Sequence, residues 1–105
     1  MNQKTLNFAT KITEKDFRQQ VISLAKLLGY KTYFTWTSIH SPKGIPDLIL
    51  CRPPRLIFAE LKSEQGKVTP HQQEWLDLFG ECPGVEKYLW KPSQFEEIVS
   101  ILRGN

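Results

Sequence analysis

Long apolar runs are missing from this sequence. No stretch approaches the length of a membrane span, and the N-terminus Met-Asn-Gln-Lys-Thr-Leu-Asn-Phe lacks the apolar core of a secretory signal. A cytoplasmic protein is therefore expected. Cysteine is scarce: Cys51 falls in a strand-like run and Cys82 in a loop-like one, without metal-type spacing. Both read as reduced thiols, which argues against a disulfide-stapled fold. There is also no internal repeat, no low-complexity tract and no sign of a second domain. What is left, 105 residues with 40% hydrophobic and 24% charged, is an ordinary single soluble domain with room for one core.

Charge is unevenly spread. Residues 1–71 hold eleven Lys/Arg and five Asp/Glu, and the remainder three Lys/Arg and six Asp/Glu. The formal net charge of +3 is weak by itself, but a basic first two-thirds suits a polyanionic partner.

The chain reads as a series of short elements. Residues 1–12 show no periodicity and are expected to form a flexible tail, with the folded domain spanning 13–105. Thr13 caps a helix to about Leu28, since Phe17, Val21, Leu24, Ala25 and Leu28 make one apolar face and Gly29 ends it. Lys31 to about Thr37, rich in aromatic and β-branched residues, reads as a strand. Two apolar runs then flank Pro53-Pro54 as a hairpin. Thr69, Pro70 and Gln72 open a second helix with a capping box, and Gly80 stops it. Val85 to Trp90 is a fourth strand. Ser93 and Glu96 form another box ahead of a last helix carrying Phe95, Ile98, Val99 and Leu102. The order α-β-β-β-α-β-α gives an α/β domain: an antiparallel meander, a fourth strand added in parallel through a helix, and helices packed on a mixed four-stranded sheet.

The hairpin carries the chemistry. Centred between the two prolines, it pairs Leu50 with Ile57, Ile49 with Phe58, Leu48 with Ala59 and Asp47 with Glu60. Opposed side chains lie roughly 4.5–5.5 Å apart at Cβ. Two carboxylates so placed repel, so one takes up a proton or a cation joins them. Lys62, two residues past Glu60, points to the same face. A slip of one residue would separate the acids. Hard carboxylate oxygens favour Mg²⁺ or Mn²⁺, and divalent cations address both difficulties of phosphodiester hydrolysis, the repulsion of the nucleophile and the poor leaving group. Asp47 and Glu60 are the expected ligands, with the Leu61 carbonyl beside them and Glu14 holding a water from the neighbouring helix. Lys62 would orient or deprotonate the attacking water and offset charge on the phosphate. Each has a plainer reading as well: dipole complementation for Glu14, a salt bridge for Lys62, helix capping for Gln72. His40, Ser41, Lys43 and Lys67 are candidates for phosphate contact, although solvated loops explain them too. Arg52 and Arg55 flank the hairpin turn, where charge serves either a DNA backbone or solubility.

These motifs resemble the PD-(D/E)XK nuclease superfamily. Glu14, Ile45-Pro46-Asp47, Glu60-Leu61-Lys62 and the Gln72-to-Trp75 spacing carry the likeness. Gly29-Tyr30, Gly44-Ile45-Pro46-Asp47 and Trp90-Lys91-Pro92-Ser93 make the chain similar to the virus-type replication-repair (VRR-NUC) branch, especially its small stand-alone phage and prophage members. The resemblance spans residues 13–103. It implies a restriction-endonuclease-like core and a Mg²⁺- or Mn²⁺-dependent DNA endonuclease, with Asp47, Glu60, Lys62, Glu14 and Gln72 as its catalytic set. It further implies a homodimer acting on structured DNA in the manner of Holliday-junction resolvases. Phe34 stands where many relatives would carry His. A non-cleaving DNA-binding module on the same fold is the alternative, against which the retained opposed acids argue.

Overall fold

Alternation along two neighbouring strands organises the molecule. In the structure, a computed structural model that describes residues 9–35 and 44–104, the four strands are β1 (Lys31–Phe34), β2 (Leu48–Arg52), β3 (Arg55–Leu61) and β4 (Val85–Trp90). They form one sheet in the order β1-β2-β3-β4. β1, β2 and β3 are antiparallel neighbours, and β4 lies parallel to β3. Residues 9–11 are helical; the longer helices among the described residues are α1 (Glu14–Leu27), α2 (Pro70–Gly80) and α3 (Phe95–Arg103), and α2 makes the crossover from β3 to β4 that a parallel neighbour requires. The expected architecture is the one observed.

Side chains of a strand alternate between faces. Leu48, Leu50, Ile57, Ala59 and Leu61 form one face, fully buried. Phe17, Val21 and Ala25 of α1 and Ile98 and Leu102 of α3 close over it, with Trp90 and Tyr30 in the same cluster. Ile49, Phe58 and Glu60 point the other way. Phe58 stacks on Phe79 of α2, with ring centroids 4.0 Å apart and planes within 9°, and Trp75 stacks on Phe79 in turn. The sheet is thus sandwiched by α1 and α3 on one side and α2 on the other.

The ends of the elements follow local chemistry. The Thr13 hydroxyl accepts from the Asp16 amide, capping α1. Gly29, at φ +91°, turns the chain out of it. Ahead of Thr13, Ala9 is buried and Ile12 packs on the core, so the fold reaches back past the expected boundary at residue 13. β1 ends at Phe34 rather than near Thr37, although the Thr35 amide still donates to the Asp47 carbonyl at 3.0 Å; positions 36 and 37 lie outside the described residues. The expected Ser93–Glu96 box does not form. Pro92–Gln94 is a 3-10 turn in which the Gln94 side chain accepts from the Lys91 amide. The Ser93 amide instead donates to Glu64, in the loop after β3, at 3.0 Å.

The two arginines at the hairpin turn act within the fold. Arg55 makes a two-pronged pair with Glu86 at 2.8 and 2.7 Å and donates to the Tyr30 hydroxyl and the Ile101 carbonyl. Arg52 donates to the Leu28 carbonyl at the end of α1 and lies over the Tyr30 ring. Their geometry is that of internal clamps on helix ends.

Candidate metal and catalytic centre

The hairpin register is the one that opposes the two acids: Leu48 pairs with Ala59, Ile49 with Phe58 and Leu50 with Ile57. One step further along the same ladder, Asp47 reaches the end of β3, where its Oδ2 accepts from the Leu61 amide at 3.3 Å. The carboxylate is thereby held against the strand that bears Glu60. Glu60 itself is 1% exposed. Its Oε1 accepts from Gln72 Nε2 at 2.8 Å and lies 3.9 Å from Lys62 Nζ. Its Oε2 is buried with no hydrogen-bond partner.

Gln72 arrives there by helical periodicity. Trp75 and Phe79 follow it at i+3 and i+7, on the face that α2 lays on the sheet, so the Phe58–Phe79 stack sets Gln72 over Glu60. Gln72 also completes the capping box: its Oε1 accepts from the Thr69 amide at 2.9 Å and its own amide donates to Thr69 Oγ1. The amide side chain serves both purposes at once, the oxygen for the cap and the nitrogen for Glu60.

The electrostatics are those of two acids too close together in a dry place. The carboxyl of Glu60 is pushed up to about 8, by burial first and by the charge of Asp47 second; Lys62 and the Asp47 amide offset this only in part. Asp47 is raised as well, chiefly by burial and then by Glu14, against the pull of the Leu61 amide, Lys62 and Arg18. The structure therefore brings Glu14 near enough to act on both acids through charge, together with Asp47, Glu60, Leu61, Lys62 and Gln72. Lys67 is exposed in the loop before α2. His40, Ser41 and Lys43 lie outside the described residues.

Two contributors carried no signal of this role in the sequence. Gly44 has φ +85°, and a Cβ there would fall 2.4–2.6 Å from the backbone of His71 and Gln72. The segment leading to Asp47 thus rests directly on the first turn of α2, a close approach open only to glycine. Arg18, on α1, lies over the Phe34 ring at 4.1 Å and adds positive charge beside Asp47.

The donors suit a hard divalent cation. A buried carboxylate oxygen without a partner is costly unless something charged meets it, and a second carboxylate lies across the strand pair. Among the described residues no group of three His, Cys, Asp or Glu side chains converges as a ready metal cage. Two carboxylates and a neighbouring carbonyl, with the remaining positions left to water and phosphate, match the way Mg²⁺ is usually held.

The VRR-NUC domain profile matches residues 7–91, which takes in α1, the whole sheet, α2 and every acid of the site. The chain belongs to the VRR-NUC domain family. No curated protein matches it. A VRR-NUC domain is a nuclease domain, a hydrolase with DNA as its substrate, and this family of nucleases generally needs a divalent metal. Among the described residues no helix is long and apolar enough to cross a membrane.

Proposed function

We propose that this VRR-NUC domain is a Mg²⁺- or Mn²⁺-dependent DNA endonuclease that hydrolyses phosphodiesters in branched DNA of the Holliday-junction type, working as a homodimer in the cytoplasm. The observation that carries the metal-dependent reading is Glu60 Oε2, buried, unpartnered and set against Asp47. The ion would be held by Asp47, Glu60 and the Leu61 carbonyl, with Glu14 acting through water. When bound, such an ion draws charge from the phosphate and lowers the pKa of water.

The chain's own groups supply the rest. Gln72 fixes the Glu60 rotamer by taking Oε1, which leaves Oε2 as the free ligand atom. Lys62, 3.9 Å from Glu60, keeps its ammonium at the rim of the acid pair, where it orients the attacking water and offsets charge growing on the phosphate. Lys67 and the segment with His40, Ser41 and Lys43 would contact flanking phosphates. Resemblance to small resolvase-like proteins supports branched DNA, and a domain of 12.2 kDa grips a four-way junction better as a symmetric pair.

The test is a panel of labelled junction, flap, nicked and linear DNAs with Mg²⁺ or Mn²⁺. Junctions are expected to be cut in preference to linear duplex, with Lys62→Ala slower by about 10²–10³-fold and Asp47→Ala inactive but still binding. Equal cutting of linear duplex would remove the resolvase reading. Cutting that persists in Asp47→Ala would remove the assigned centre.

A further inference from the structure

The outward side of α1 carries basic residues that the acid centre does not use. Lys15, Arg18, Ile22 and Lys26 stand at i, i+3, i+7 and i+11, one continuous stripe of a helix. With Thr32 and Phe34 of β1 they line a groove of about 280 Å³ along the edge of the sheet. No acidic side chain is among the described residues lining it. Lys15 and Lys26 are exposed, and Arg18 and Phe34 are half-buried. The stripe runs on the order of 16 Å at 1.5 Å per residue, a span that covers several phosphates of one strand. It also has a direction. Lys15 is next to Glu14, and Arg18 stands one turn on from Glu14 at i+4, its neighbour on the helix surface, so one end of the stripe lies beside the acid that α1 brings to the centre.

We propose that this face of α1, together with the β1 edge, is the track on which the DNA backbone flanking the cleaved bond lies, with Lys15, Arg18 and Lys26 as phosphate contacts and Arg18 nearest the scissile phosphate. The assignment rests on the nuclease reading above and adds to it the surface that aligns the strand. Three cations in line, a lining free of acids among the described residues and an end beside Glu14 make up its complementarity to a polyanion. The Arg18 guanidinium, over the Phe34 ring at 4.1 Å, is already oriented and loses little freedom on meeting a phosphate.

Salt-dependent binding tests this without any need for turnover. Labelled DNA is titrated in EDTA at several salt concentrations, and log Kd is plotted against log salt. Each lost phosphate contact lowers the slope by roughly 0.7–0.9. Lys15→Gln/Lys26→Gln, which leaves the Arg18–Phe34 contact in place, is expected to lower the slope by about 1.4–1.8, and adding Arg18→Gln by a further ~0.7–0.9. The control Lys87→Gln/Arg103→Gln, exposed changes on β4 and α3, keeps the wild-type slope. Melting temperatures of the double variant near wild type show that it is folded. An unchanged slope in Lys15→Gln/Lys26→Gln, or an equal drop in the control, overturns the track. If the wild type cuts no DNA but the α1 variants lower the slope, the nuclease reading fails and the binding surface stands. If the wild type cuts and the α1 variants bind with its slope, the reverse holds.

Discussion

At the scale of single residues, Glu60 holds a carboxylate in a place that disfavours its charge. It is buried, one oxygen has no partner, and its carboxyl is pushed up to about 8 by burial and by Asp47. An acid whose pKa is higher folded than unfolded binds more protons in the folded state between the two values, so stability falls as pH rises through that window. Without divalent ions the protein is therefore expected to melt lower at pH 8 than at pH 5.5. Glu60→Gln should flatten this dependence and raise Tm at pH 8, roughly 4–8 °C for each kcal/mol gained in a domain this size, while cleavage is lost. A scan of Tm against pH in EDTA for both proteins checks it. Gln72 is the second case. Gln72→Ala removes the donor to Glu60 and half of the capping box, and should cost about 1–2 kcal/mol by urea melts while weakening Mn²⁺ binding. The opposed acids were legible in the sequence because the hairpin turn and the alternation of apolar residues fix the register. The double use of Gln72 was only half legible: the capping box is a local pattern, whereas the bond to Glu60 depends on where the Phe58–Phe79 stack puts α2.

At the scale of elements, the site is held by contacts between segments far apart in sequence. The chain before Asp47 rests on α2 through Gly44. Gly44→Ala adds a left-handed penalty and a backbone collision, together about 2–4 kcal/mol, and should reduce cleavage sharply although no reacting group changes. Urea melts and initial rates on one DNA substrate check both effects. The Arg55 clamp behaves oppositely. It joins β3 to β4 and to α3 through Glu86, Tyr30 and Ile101; Glu86 is held below the usual carboxylate range by Arg55, and the Tyr88 hydroxyl, by burial and its bond to Glu86, is pushed up to about 12. Arg55→Ala should cost about 2–3 kcal/mol in stability with little change in the cleavage rate per folded molecule, because the clamp lies at the turn end of the hairpin, away from the acids. None of these long-range links shows in periodicity or caps. The Ser93–Glu96 box illustrates why: the local pattern was present, but Glu64, distant in sequence, reaches the Ser93 amide. Arg52 and Arg55 likewise look like solubilising charge until their partners on α1, α3 and β4 are known.

At the scale of the whole molecule, three layers bring the ends of β2 and β3, the start of α1 and the start of α2 to one place. Glu14, Glu60 and Gln72 come from three different elements and Asp47 from the chain entering β2, and each sits at or near an element end, where a side chain can reach past the core. The order of elements and the mixed sheet were readable because each strand and helix carries its own period and stop signals. The groove along α1 was not, since the helix pattern names the buried face and says nothing of what β1 places beside the exposed one. As proposed, Asp47 and Glu60 together hold a divalent ion. Mn²⁺ titrated into the protein at pH 7 in a calorimeter, repeated in buffers of different ionisation enthalpy, tests it directly: a protonated carboxyl must give up its proton to bind metal. The wild type is expected to give a binding heat accompanied by release of close to one proton, and Glu60→Gln and Asp47→Asn to give neither. Absence of heat in the wild type, or the same heat in all three proteins, would contradict it.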